Sequence, residues 1–157
     1  MTMLHLTAAA LLLLQPAAPA KKPATPAQKA HAAAAKPAPT DLTVVVTYKG
    51  KGTVDENHKV IAWLFTDSAI ASSSRPIATL STVKNGDTLT FKDVAATPVY
   101  IFTAYDSKGG YDGVSGPPPA GIPTALYRKA AKGPAEAVKA GGPAVKITFD
   151  DSEPWNK

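Results

Sequence analysis

The chain contains no cysteine. That excludes a disulfide framework, a thiol nucleophile and a thiolate-held metal, so any core must be held by apolar burial. Histidine is scarce as well: of three, only His58 lies beyond residue 40. It sits in the polar stretch Asp55-Glu56-Asn57-His58 and reads as a solvated turn residue. No glycine-rich phosphate loop follows a strand-like run. Catalysis needs a base, a nucleophile or a metal in defined geometry, and few such groups are present. The chain is therefore expected not to be an enzyme.

Acidic residues are absent before Asp41, where Lys21, Lys22, Lys29 and Lys36 stand alone. From Asp41 onward 13 basic residues face 12 acidic ones, so the formal charge of +5 belongs to the leading segment. No basic stripe with interleaved aromatics follows, and nucleic acid is not expected as a partner. Long apolar runs are missing too. Leu4 to Leu14 falls well short of the roughly 20 residues that cross a bilayer. With Leu11-Leu12-Leu13-Leu14, then Gln15-Pro16 and Ala18-Pro19-Ala20, residues 1–20 read as a cleavable secretory signal peptide, despite a leading segment with His5 but no Lys or Arg. No lipid-anchoring cysteine follows it. The protein is expected to be periplasmic or secreted, with no transmembrane span after signal cleavage.

Residues 21–40 are Lys/Ala/Pro-rich, and Pro23, Pro26, Pro37 and Pro39 break any helix. An extended, disordered linker follows, acting as a spacer or as a cationic tether to an anionic cell-surface polymer. From Asp41 the pattern turns to period two. Leu42, Val44, Val46 and Tyr48 alternate with more polar neighbours, as do Leu89 and Phe91, and Val145, Ile147 and Phe149. Lys59–Thr66 and Val99–Tyr105 are apolar on both faces, as doubly covered strands would be, with Trp63 a core residue. Ile77–Val83 is a weaker strand, and Asn85-Gly86 predicts a tight hairpin into the strand from Thr88. The expected fold is all-β: an antiparallel Ig-like or prealbumin-like sandwich of six to seven strands spanning 41–151, with a tail at 152–157.

Asn85-Gly86, Leu89-Thr90-Phe91, Asp93-Val94, then Tyr100 and Ala104-Tyr105-Asp106 carry a resemblance to the prealbumin-like family. Its members include carboxypeptidase regulatory-type and collagen-adhesin B-type modules. The half from Ala104 through Gly121-Ile122-Pro123 to Val145–Phe149 is similar to uncharacterised secreted bacterial domains of this shape. The resemblance implies a fold rather than an activity. The Lys–Asn isopeptide of adhesin modules is excluded, because the first strand lacks lysine and the last lacks asparagine. The histidines and terminal Tyr-Arg-Gly-Ser of transthyretin-type hydroxyisourate hydrolases are missing too; Tyr127-Arg128-Lys129-Ala130 is only a loop sequence.

Residues 106–143 hold eight of the eleven glycines and six of the fifteen prolines. A loop so long is often functional. Pro134–Ala140 suggests a short helix and Ile122–Tyr127 an edge strand. Asp106 and Asp112 could ligate calcium. However, Lys108, Gly110 and Tyr111 stand where an EF-hand-type loop wants ligands and a glycine, and simple Asx turns are the competing role. Tyr105, Tyr111, Tyr127 and Trp155 could stack on an envelope glycan, with Pro117-Pro118-Pro119 as a stiff ridge, although Tyr105 also fits a core position. The expected role is a non-catalytic binding or accessory module that uses the 106–121 rim. The alternatives are a glycan hydrolase working through Asp106 and Asp112, or a purely structural envelope protein.

Overall fold

The computed structural model describes residues 40–130 and 132–156; the expected signal peptide and the expected linker up to residue 39 lie outside them. Seven strands form: β1 (Thr40–Tyr48), β2 (Val60–Phe65), β3 (Ala78–Thr82), β4 (Thr88–Val94), β5 (Tyr100–Tyr105), β6 (Thr124–Leu126) and β7 (Val145–Phe149). The fold is all-β, with no helix among the described residues. One sheet has the order β4-β1-β7 and the other β3-β2-β5-β6. The alternating apolar residues of β1, β4 and β7 all point inward. They meet Val60, Ala62, Leu64, Ile101 and Tyr105 from the other sheet in one shared core.

Several expectations are corrected. The pairing is not wholly antiparallel, because β7 runs parallel to β1 from Val44↔Val145 to Tyr48↔Phe149. No tight turn precedes β7, so the long connection from β6 is free to bring it back in β1's direction. Nor does β1 pair with β2, as the immunoglobulin order requires.

The Asn85-Gly86 turn, with Gly86 at φ 77°, does not close a hairpin, since β3 and β4 belong to different sheets. The Asn85 side-chain amide explains this crossing. Its Oδ1 accepts from the Tyr48 amide at 2.8 Å and its Nδ2 donates to the Tyr48 carbonyl at 2.7 Å. The side chain thus stands in for a strand residue beside β1. The Gly86 amide donates to the Val46 carbonyl and the Val46 amide to the Asp87 carbonyl, so the ladder leads into β4.

Pro134–Ala140 is not a helix. Val138 exchanges two backbone hydrogen bonds with Val99, both 2.8 Å, and is buried. Those bonds and that burial outweigh a two-turn helix, which is too short to sustain itself.

The second sheet is covered on both faces, as the all-apolar β2 suggested. On its outer face Ile61, Trp63, Phe65, Phe102 and Ala104 form a second core with Ile70, Ile122 and Trp155. Trp155 packs on Phe102 with ring centroids 5.4 Å apart. The segment that carries it is annealed to the sheet edge. The Gly121 amide donates to the Trp155 carbonyl at 2.7 Å, the Trp155 amide to the Ile122 carbonyl at 2.8 Å and the Thr124 amide to the Glu153 carbonyl at 2.9 Å. Arg128 Nη1 adds bonds of 2.9 Å to both Glu153 oxygens. The packed domain thus continues past residue 151.

Trp155→Ala is expected to destabilise the fold by about 3–5 kcal/mol, the cost of deleting a large aromatic side chain from a core. Urea unfolding of the full chain measures it, and a loss below ~1 kcal/mol would show that the tail is only an appendage.

Candidate functional site

Beyond β5 the chain turns sharply under the control of Asp106. Its amide donates to the Lys59 carbonyl at 2.9 Å, and its side chain points inward, 1% exposed. The carboxylate accepts from the amides of Lys108 at 3.2 Å, Gly109 at 2.9 Å and Tyr111 at 2.8 Å. Gly109 and Gly110 follow one another at φ 80° and 83°, a doubling-back that side chains resist. Asp112 closes a second, exposed turn: it accepts from the amides of Val114 and Ser115, both at 2.9 Å, and from the Ser115 hydroxyl. Those bonds, the hydroxyl's first, hold its pKa down to about 2. Both aspartates therefore serve the Asx-turn role, each within its own turn. Among the described residues no group of three or more His, Cys, Asp or Glu is arranged to hold a metal ion.

The two turns lay the rim across the outer face of the second sheet. At Gly113 the backbone touches down: its carbonyl accepts from Trp63 Nε1 at 2.7 Å. A Cβ there would lie 2.6 Å from Ile61 Cγ2, and φ is 80°, so only glycine fits without displacement. The Tyr111 hydroxyl donates to the Gly116 carbonyl at 2.7 Å, and its ring lies 6.2 Å from Trp63. Burial pushes the Tyr111 hydroxyl pKa up to about 12. Lys108 Nζ donates to the Ala120 carbonyl at 2.7 Å, tying the far end of the rim down.

Opposite the rim stands the serine-rich loop after β2. Here Asp67 accepts from the Ala69 amide at 2.8 Å, and the Ser74 hydroxyl accepts from the Ala71 amide at 2.9 Å. Between the two loops the cover over the sheet is incomplete. A cleft of about 230 Å³ remains, floored by Trp63, Phe65, Phe102 and Trp155, with Arg75 and Pro118 on opposite lips. Val114, 70% exposed, carries the apolar surface outward over the rim.

The residues expected to stack on a sugar do not converge. Tyr111 and Trp155 line the cleft, with Trp155 buried in its floor. Tyr105 is on the other face of the sheet, stacked on Tyr48 at 4.0 Å, and its hydroxyl donates to the Thr53 carbonyl at 2.9 Å. Tyr127 is half-buried against the shared core, its amide donating to the Ile101 carbonyl at 2.9 Å. The cleft is also lined by Trp63, Phe65 and Phe102 from β2 and β5 and by Ile70 and Arg75 from the serine-rich loop, none of them a site candidate from the sequence. The signal for the first three is a strand pair apolar on both faces, which requires a cover and so admits a gap in it.

A second, polar cleft of about 570 Å³ lies beside the Tyr48–Tyr105 stack, lined by Lys51, Asp55, His58 and Asp151 among others. His58 Nδ1 is 3.0 Å from Asp55 Oδ1, and Asp55 also accepts from the His58 and Asn57 amides. The His58 amide bond leads in holding the Asp55 carboxyl below its ordinary range. The Tyr48 hydroxyl donates to Asp151, and burial followed by that carboxylate pushes the phenol well above its ordinary pKa. These are turn and packing contacts. No protein-family model, curated protein or solved structure matches the chain.

The Asp112 carboxyl is expected to titrate near pH 2, and Ser115→Ala to move that midpoint up towards the ordinary value of about 3.9. The sign follows from linkage. A carboxyl with a lowered folded pKa stabilises the rim fully above the unfolded value, and that contribution fades as pH falls towards 2. NMR titration of the side-chain carboxyl reads it directly; a midpoint near 4 in the parent protein would mean that the Asp112 turn does not form.

Proposed function

We propose that the chain is an exported, non-catalytic β-sandwich module of prealbumin-like type that binds a ligand in the cleft beside the 106–121 rim. The carrying observation is the aromatic floor left open between two loops, one of them pinned to the sheet by Asp106 and Gly113. Pockets with apolar walls and a few polar groups are the usual form of a small-ligand site. Several features support the fold type: seven strands in two sheets around a shared core, Asn85-Gly86 at a turn and Asp93 at φ 52° in the Asp93-Val94 corner. Export rests on the leader-like residues 1–20.

The hydrolase alternative is less well supported. A general acid needs a raised pKa, whereas Asp112 is held at about 2. The Asp106 carboxylate is 1% exposed and engaged with three backbone N–H groups of its own turn, out of reach of a substrate. A glycan stacked across a tyrosine platform is likewise disfavoured, since Tyr105 and Tyr127 lie away from the cleft.

Thermal melting of the full chain, screened against calcium, peptidoglycan fragments, glycans and small apolar compounds, tests the proposal. Saturable stabilisation by at least one organic compound is expected, and Ala71→Phe on the cleft lip should abolish it. A panel without any such compound, or stabilisation that survives Ala71→Phe, would contradict a binding role for this cleft.

A further inference from the structure

The cleft's polar atoms are largely spent on its own walls, and what is left over identifies the ligand it suits. Trp63 Nε1 is committed to the Gly113 carbonyl, and the Tyr111 hydroxyl to the Gly116 carbonyl. The Ser74 hydroxyl already accepts from the Ala71 amide, and the Ser115 hydroxyl donates to Asp112. A sugar presents hydroxyls all round its ring and needs many free partners. Among the side chains of this cleft it would find few.

Two side chains on the lip are uncommitted among the described residues, the exposed Ser72 hydroxyl and Arg75, and only Arg75 carries a charge. Arg75 is exposed, lines the cleft, and takes part in no ion pair or hydrogen bond among the described residues. A guanidinium presents a fork of donors that matches a carboxylate in a bidentate arrangement. The volume of about 230 Å³ also falls below the roughly 300–1,000 Å³ of drug-sized sites, so the buried part of the ligand is about one ring in size.

From these observations, and resting on the binding role above, we propose that the cleft receives a small carboxylate with a flat apolar body. The ring lies on the aromatic floor and the carboxylate is met by Arg75. The charge complementarity is specific to this lip: no other charged side chain lines the cleft.

The test uses 3-phenylpropionate and its neutral counterpart 3-phenylpropionamide, which differ only at the acid group. Both tryptophans of the chain, Trp63 and Trp155, line the cleft, so intrinsic emission of the full-length protein reports occupancy without a label. The carboxylate should give a saturable emission change, with the amide binding about fivefold more weakly, the scale of one partly exposed ion pair. Arg75→Gln, at an exposed position, should bring the carboxylate to the amide's affinity, while Ala71→Phe should weaken both. Equal binding of the two compounds by the parent protein, or undiminished carboxylate binding by Arg75→Gln, overturns the anionic ligand and leaves the binding cleft standing. If neither compound binds a protein that still melts cooperatively, the proposal falls. In that case a saturable response to a peptidoglycan fragment in the same titration would preserve the binding role, and silence there would remove both.

Discussion

A carboxylate taken out of water must be met by donors, and Asp106 is met by three backbone N–H groups from the five residues that follow it. Such an arrangement leaves the chain little choice of path. The residues after β5 must curl round that one side chain, and Gly109 and Gly110 supply the left-handed backbone that the curl requires. The curl delivers Tyr111 and Gly113 onto the outer face of the second sheet, where Trp63 Nε1 takes hold of the Gly113 carbonyl. Replacing the acid by an amide would set an NH₂ group against one of these N–H donors and leave part of the turn unsatisfied.

The outer face needs that cover, because β2 carries apolar residues on both sides. A sheet buried on one face only would leave Ile61, Trp63 and Phe65 in water, each costing on the order of 2 kcal/mol of lost burial. Two pieces supply the cover: the rim from Asp106 and the C-terminal segment that brings Trp155 over Phe102. They meet at Gly121 and Ile122, whose backbone is paired with that of Trp155. The cleft is the gap between this joint cover and the serine-rich loop, and its aromatic floor is the part of the outer core that neither piece seals. The side chains that build the outer core are thus also the floor of the cleft.

Much of this was readable in the residues, for reasons that particular elements make plain. The period-two runs at Leu42–Tyr48 and Val145–Phe149 set their buried faces, because one-sided burial leaves no freedom in which residues turn inward. The double-faced runs announced a sheet covered twice. Pairing partners were not readable. Asn-Gly marks a turn with positive φ, but only the contact of the Asn85 amide with Tyr48 decides that the turn crosses between sheets. The parallel course of β7 and the extended bridge at Val138 likewise depend on distant backbone, Tyr48 to Val44 in one case and Val99 in the other. At the site, Asp106 and Asp112 were legible as turn residues. Tyr105 and Trp155 could not be assigned to opposite sides of one sheet until the sheet existed.

The rim is a built part of the domain rather than a mobile loop, and amide hydrogen exchange followed residue by residue by NMR tests this most directly. The amides of Gly109 and Tyr111, which point at Asp106, and of Gly121 and Trp155, which join rim to tail, should exchange within about tenfold of the amides in β5. Exchange of those four amides at the rate of an unstructured peptide, while β2 and β5 stay protected, would contradict it.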